Sequence, residues 1–136
     1  GIGDRTPGDA GRFCGRCAAL QIKQGSNPQH LLKQFTDLKR ASDAGNYRRF
    51  ATADRQLHQT IIELADVPGL KSSWLAAFEA QNTFRIKTLE QCWPDLAVLF
   101  ESHRPLVDAI ASGYPEEAEE EAMAPGCSLV SPGGCD

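Results

Sequence analysis

The chain has 136 residues, 41% of them apolar and 24% charged, with a formal net charge of −4. That size and balance describe one globular domain around a single core, and the mild acidity gives its surface no general electrostatic reason to bind nucleic acid or an anionic membrane. The longest aliphatic or aromatic run, residues 96–100, is too short to span a bilayer. No charged-then-apolar leader opens the sequence, so a cytoplasmic protein with no membrane partner is expected.

Residues 1–16 are rich in Gly, Arg and Asp and show no period, which predicts a poorly ordered lead-in. A short helix is expected from about Phe13, carrying Cys17, Ala18, Leu20 and Ile22 before Gly25 stops it. Cys14 and Cys17 form a C-x-x-C, one of few cysteine patterns among five cysteines in all. With no second pair and no βαβ context it is a weak zinc or redox signal, and unpaired thiols are the expectation. Asn27 and Pro28 then supply a capping oxygen and a helix-opening proline. Leu31, Leu32, Phe35, Leu38 and Ala41 repeat at helical spacing, up to a stop at Gly45 and Asn46.

The next helix is predicted from Tyr47 to Ala65. Phe50, Leu57, Ile61 and Leu64 or Ala65 form its apolar stripe, and Asp54 and His58 lie on that same stripe one turn apart. A carboxylate and an imidazole aimed at a core cost desolvation unless something satisfies them: each other, a polar ligand, or a metal ion. After a turn at Pro68 and Gly69, residues 70–91 form a long helix. Its Trp74, Phe78, Gln81 and Arg85 share one face, so the heads of Gln81 and Arg85 are expected at a central cavity, the alternative being that Arg85 runs out to solvent along its stem. Pro94 and Asp95 start another helix, in which Leu96, Leu99, Phe100, His103, Leu106, Val107 and Ile110 face the core. Pro105 is expected to impose only a kink or a restart. Pro115 opens a last short helix whose glutamates are mostly solvated, and residues 125–136 read as a loose tail. The fold class is therefore all-α, an antiparallel bundle of five or six helices, with the helical domain over residues 17–124. No role is expected for His30.

Asp54, His58 and His103 thus point inward from two helices. Two imidazoles and one carboxylate suit zinc, nickel or another divalent first-row metal, with positions left open for water or a ligand. Without metal, an ion pair of Asp54 with His58 in the core is of doubtful benefit.

These residues also carry a family likeness. D-x-x-x-H at Asp54 and His58, a long helix, and then H-R-P-L-V-D-A-I-x-S-G-x-P-E-E-A from His103 resemble the effector-binding domain of bacterial GntR-type transcription regulators. The likeness is to the fatty-acid-regulator branch, whose helical domain is called FCD. It runs from about Leu20 to Met123 and includes the opener at Pro28 and the D-A-G-N-Y stretch ending at Tyr47. It implies an antiparallel bundle that forms homodimers and binds a small organic acid with the help of a divalent metal. Asp54, His58 and His103 match three of the family's four usual metal ligands. The fourth, a histidine on the last helix, aligns with Pro125 here, which implies three protein ligands plus water and weaker affinity. Zinc is the expected ion. An effector carboxylate would complete the coordination or pair with Arg85, with Trp74 and Phe78 along the apolar wall and Gln81 beside them. Such regulators carry an N-terminal winged helix-turn-helix that reads operator DNA. Only about twenty residues precede the likeness, so this chain is expected to lack that module, to make no direct nucleic-acid contact, and to be truncated at both ends. One reading of its Gly-, Pro- and Cys-rich ends is non-native sequence.

Two other functions use the same residues. A mononuclear metal enzyme would need a general base near the ion, for which Glu63 and Glu101 are the nearest candidates, though neither lies squarely on the inward stripe. A purely structural module would pair Asp54 with His58. Neither matches the family likeness, and no catalytic residue is assigned.

Overall fold

A computed structural model describes residues 7–122, with side chains from residue 13 onward except at positions 77, 78 and 80–85. The described residues form seven helices and no strand: α1 (Pro7–Lys23), α2 (Gln29–Asp43), α3 (Tyr47–Ala65), α4 (Leu70–Cys92), α5 (Leu96–Ser102), α6 (Arg104–Ala111) and α7 (Pro115–Glu121). The all-α class is as expected. The count exceeds five or six because, of the kink or restart expected at Pro105, the stretch around His103 takes the restart and is two helices.

Local chemistry sets the boundaries. Asn27 Oδ1 accepts the N–H of Gln29 at 2.9 Å at the start of α2. At the other end the N–H groups of Gly45 and Asn46 return to the carbonyls of Ser42 and Ala41, a C-terminal closure that needs the left-handed Gly45. Asn46 then caps α3 by accepting from Arg49 N at 3.0 Å, so one three-residue connection both ends α2 and begins α3. α1 opens at Pro7, well before the Phe13 start read from the sequence, because proline suits a first helical turn and packing against α3, α6 and α7 holds the helix that follows.

α3 is the axis of the fold, in contact with α1, α2 and α4, while α2 also reaches α5 and α6. Its apolar stripe is buried as predicted: Phe50, Leu57, Ile61 and Ala65 are at most 3% exposed. Leu31, Phe35, Leu38 and Ala41 of α2 and Leu96, Leu99, Phe100, Leu106, Val107 and Ile110 of α5 and α6 complete the core. Leu32, read as core, is exposed, since only Leu31 of that adjacent pair falls within the buried arc. The Tyr47 hydroxyl donates to the carbonyls of Trp93 and Pro94 at 2.8 and 3.1 Å, tying the start of α3 to the α4–α5 connection. Phe35 of α2 stacks on Phe100 of α5 with centroids 4.7 Å apart. The Arg104 guanidinium lies over both rings and pairs with Glu101 at 2.8 Å.

Close approach explains two glycines. A Cβ on Gly15 would stand 2.8 Å from the Ala118 carbonyl oxygen, where α1 meets α7. Gly113 combines a φ of +73° with a site 3.2 Å from the Lys23 backbone. No described helix is long and apolar enough to cross a membrane. Cys14 and Cys17 are not joined in a disulfide, as expected, although they lie on an ordered helix. Burial pushes the Cys14 thiol up to about 12, which suits an inert core residue. Cys92, by contrast, is disulfide-bonded. The expected tail and Pro125 lie outside the described residues.

Candidate metal centre

α3 presents Asp54 and His58 from successive turns of its buried face, and the α5–α6 junction presents His103 opposite them. All three are 1–2% exposed, and one donor atom from each lies within 4.8 Å of the other two. His103 ends α5 and begins α6, but its φ and ψ of −83° and −20° are helical, so its side chain keeps the inward direction that the period predicts.

The hydrogen bonds are uneven. His103 Nδ1 lies 2.8 Å from the Leu99 carbonyl, and Nε2 lies 2.9 Å from Asp54 Oδ1. A carbonyl oxygen can only accept, so Nδ1 carries a proton, and the neutral ring then has only a lone pair at Nε2. That lone pair faces a carboxylate. The contact is satisfied by a proton between the two atoms or by a cation in its place. His58 is more exposed to the problem: its Nε2 is 3.6 Å from Asp54 Oδ1, beyond hydrogen-bond reach, and neither of its buried ring nitrogens has a partner. The Asp54–His58 hydrogen bond expected of a purely structural module is thereby corrected, since the carboxylate hydrogen-bonds His103 and not His58. Burial, and secondarily the neighbouring His103, hold His58 down to about 3, so it stays a neutral imidazole with a free lone pair, the form that binds metals. Its ring lies 5.8 Å from that of His103, nearly parallel, and meets Trp74 edge-on at 6.4 Å. Phe50 stands edge-on to His103.

The residues present fit a divalent ion. The donor set is one carboxylate and two neutral-capable imidazoles. The Leu99 carbonyl fixes the tautomer that turns the Nε2 lone pair toward the other donors, as outer partners of metal-bound histidines do. Sequence reasoning missed this carbonyl, although a residue four positions before a helical histidine is the natural place to look for it. Ligands at about 2.0–2.2 Å from one ion stand roughly 3.0–3.5 Å from each other, so donors as far as 4.8 Å apart must close by about an ångström to share it.

Of the expected effector contacts, Trp74 is buried against His58. The side chains of Phe78, Gln81 and Arg85 lie outside the described residues. Glu63 and Glu101, the general-base candidates, are exposed and engaged elsewhere, Glu101 with Arg104 and Glu63 with Gln59 and Lys71. Pairing holds both carboxyls below their usual range, through Arg104 for Glu101 and chiefly through the Gln59 amide for Glu63, which is the wrong direction for a base poised near neutrality.

Comparison with known proteins points the same way as the motifs. A probable D-xylose utilization operon transcriptional repressor of Paenarthrobacter nicotinovorans is 33% identical over 108 residues, covering 79% of this chain and 46% of the relative. The chain therefore spans about half the length of the curated relative it matches. No solved structure matches the chain. The FCD domain matches residues 12–124, from within α1 to beyond α7, and the chain belongs to the FCD domain family.

Proposed function

We propose that this domain is the effector-binding and dimerisation part of a GntR-type transcriptional repressor, and that it binds a small organic acid at a divalent ion, zinc in the first instance, held by Asp54, His58 and His103. The observation that carries the reading is a buried imidazole, His58, whose two nitrogens have no partner and whose Nε2 lies beside a carboxylate already engaged with a second imidazole. When bound, the ion supplies a Lewis-acidic centre with open positions for a ligand carboxylate. The chain's own part is to orient the two imidazoles, to keep His58 neutral, and to exclude water with Phe50, Trp74 and Leu57. Arg85, Gln81 and Phe78 complete the effector contacts in this reading.

Regulation is then a matter of binding. An effector that prefers one packing of the helices around α3 shifts the domain toward it in proportion to its differential affinity, and the DNA-reading module of the intact regulator responds. The protein acts in the cytoplasm as a homodimer and has no membrane partner. The test is elemental analysis of protein purified without chelator, for wild type and for His58→Ala, His103→Ala and His30→Ala. Near-stoichiometric metal in wild type and His30→Ala, with loss in the other two, is expected; equal metal content in all four would defeat the assignment.

A further inference from the structure

α5 and α6 are one helical run interrupted at a single residue, His103. In an unbroken helix the His103 N–H would bond the Leu99 carbonyl four residues back. Here it bonds the Phe100 carbonyl at 3.0 Å instead, a tighter three-residue step. The Leu99 carbonyl is thereby released from its main-chain donor. Two side chains take it over: His103 through Nδ1–H at 2.8 Å and Ser102 through its hydroxyl at 2.5 Å. The cause of the interruption stands two residues further on. Pro105 has no N–H to offer the Glu101 carbonyl and crowds it, and it biases Arg104 away from helical geometry. In the second position of α6 the missing N–H costs nothing, because a helix start leaves that group unbonded in any case.

We propose that Pro105 is a positioning residue for His103: by breaking the helix it frees the Leu99 carbonyl to hold the imidazole in the Nδ1–H tautomer, with Nε2 aimed at Asp54 and His58. Neither Pro105 nor Leu99 is one of the three donors, yet both decide which nitrogen of His103 is available. An alanine at position 105 supplies the missing N–H, lets α5 and α6 join, and returns the Leu99 carbonyl to the His103 main chain. The imidazole then loses its Nδ1 acceptor and settles as the Nε2–H tautomer donating to Asp54; an ion displaces the proton at Nε2 in either protein, but in the variant the ring must then carry its proton on an Nδ1 that has no acceptor. For its metal arm the inference rests on the function proposed above; its tautomer arm does not.

The test uses the full chain and the imidazole ¹⁵N–¹H spectrum, which is simple because there are only three histidines, with His103→Gln identifying the signal of interest. In chelator, wild type is expected to show a protected Nδ1–H on His103, and Pro105→Ala to lose it in favour of Nε2–H with no loss of helix by circular dichroism. Ser102→Ala leaves the break in place and is expected to keep the Nδ1–H. With Zn²⁺ alone as the probe, calorimetry should show binding weakened about tenfold in Pro105→Ala, the lower end of the effect of removing an outer partner of a metal-bound histidine. An Nδ1–H that persists in Pro105→Ala, unchanged zinc affinity in that variant, or loss of the Nδ1–H in Ser102→Ala would each overturn the proposal. If wild type takes up no zinc, the metal reading fails and the tautomer spectra alone decide the role of Pro105.

Discussion

Acidifying the metal-free protein from about pH 7.5 to pH 5 should destabilise it through His58 by a predictable amount. The ring is fully enclosed and held down to about 3 against an ordinary value of 6.5, chiefly by desolvation and then by the neighbouring His103. The unfolded chain, with His58 in water, binds a proton as the pH falls through 6.5, while the folded protein does not until about 3. Stability conferred by the neutral ring is therefore complete above pH 6.5 and is lost progressively on the way down to 3. At pH 5 only the unfolded value matters, one and a half pH units above the buffer, so the loss is about 2 kcal/mol. That corresponds to a fall of roughly 1 M in the urea midpoint for a domain of this size.

The assay is urea unfolding in chelator at several pH values, for wild type and for His58→Leu. Leucine fills a similar space and cannot titrate, and the exposed acids and bases common to both proteins cancel in the difference. The expected result is a gap between the two stability curves that changes by about 2 kcal/mol between neutral pH and pH 5, in the direction that favours the variant as the pH falls. Parallel curves over that range would mean that His58 is solvated or paired in the folded protein, and the description of it as a buried neutral ring without a partner would be wrong.

Three further outcomes follow from the geometry. An ion that enters between Asp54 Oδ1 and His103 Nε2, now 2.9 Å apart, displaces the proton held there, so zinc binding near neutral pH should release about one proton, read from calorimetry in buffers of different ionisation enthalpy; no buffer dependence would contradict it. Asp54→Asn can donate an amide N–H to the His103 lone pair, so it should leave metal-free stability within about 1 kcal/mol of wild type while lowering zinc affinity, whereas Asp54→Ala, which strips His103 of its partner, should cost about 3 kcal/mol. Gly113→Ala adds a Cβ 3.2 Å from the Lys23 backbone at a left-handed φ, while Gly45→Ala meets open space at a similar φ. The first should cost about 1 kcal/mol more than the second in thermal unfolding, and equal costs would show that α1 yields freely at Lys23.

What could be read from sequence was whatever repeats. α3 runs from Tyr47 to Ala65 as its period and its Pro68–Gly69 exit predict, and helical spacing was enough to put Asp54, His58 and His103 on inward faces. Spacing says nothing of how a side chain is turned within its face. Whether the carboxylate bonds His58 or His103 depends on where a second helix lies to within about an ångström, and no local pattern encodes that. The division of α5 from α6 was half visible, in Pro105; its consequence for Leu99 and His103 was not, because it lies in a choice between two carbonyls one residue apart. The start of α1 was missed for a different reason. The residues after Pro7 have no apolar period of their own, and that helix is held by what packs on it further along, at Cys14, Ala18 and Ala19.

The three buried polar groups can be weighed as a core without metal. A carboxylate and two imidazoles occupy a place where leucine or phenylalanine would bury apolar area at about 25 cal/mol per Å² with nothing left over to satisfy. A buried polar network is tolerable when every member has its partners and worse than an apolar core when one does not. Here one does not: Asp54 and His103 have each other, His103 also has Leu99, and His58 has neither nitrogen bonded. An orphaned buried group of this kind costs about 1–3 kcal/mol. A hydrogen-bonded structural core accounts for two of the residues and leaves the third as pure loss. On the reading proposed above, a single divalent ion held by the three donors would account for all of them: it would replace the proton between Asp54 and His103 and give the lone pair of His58 something to bind.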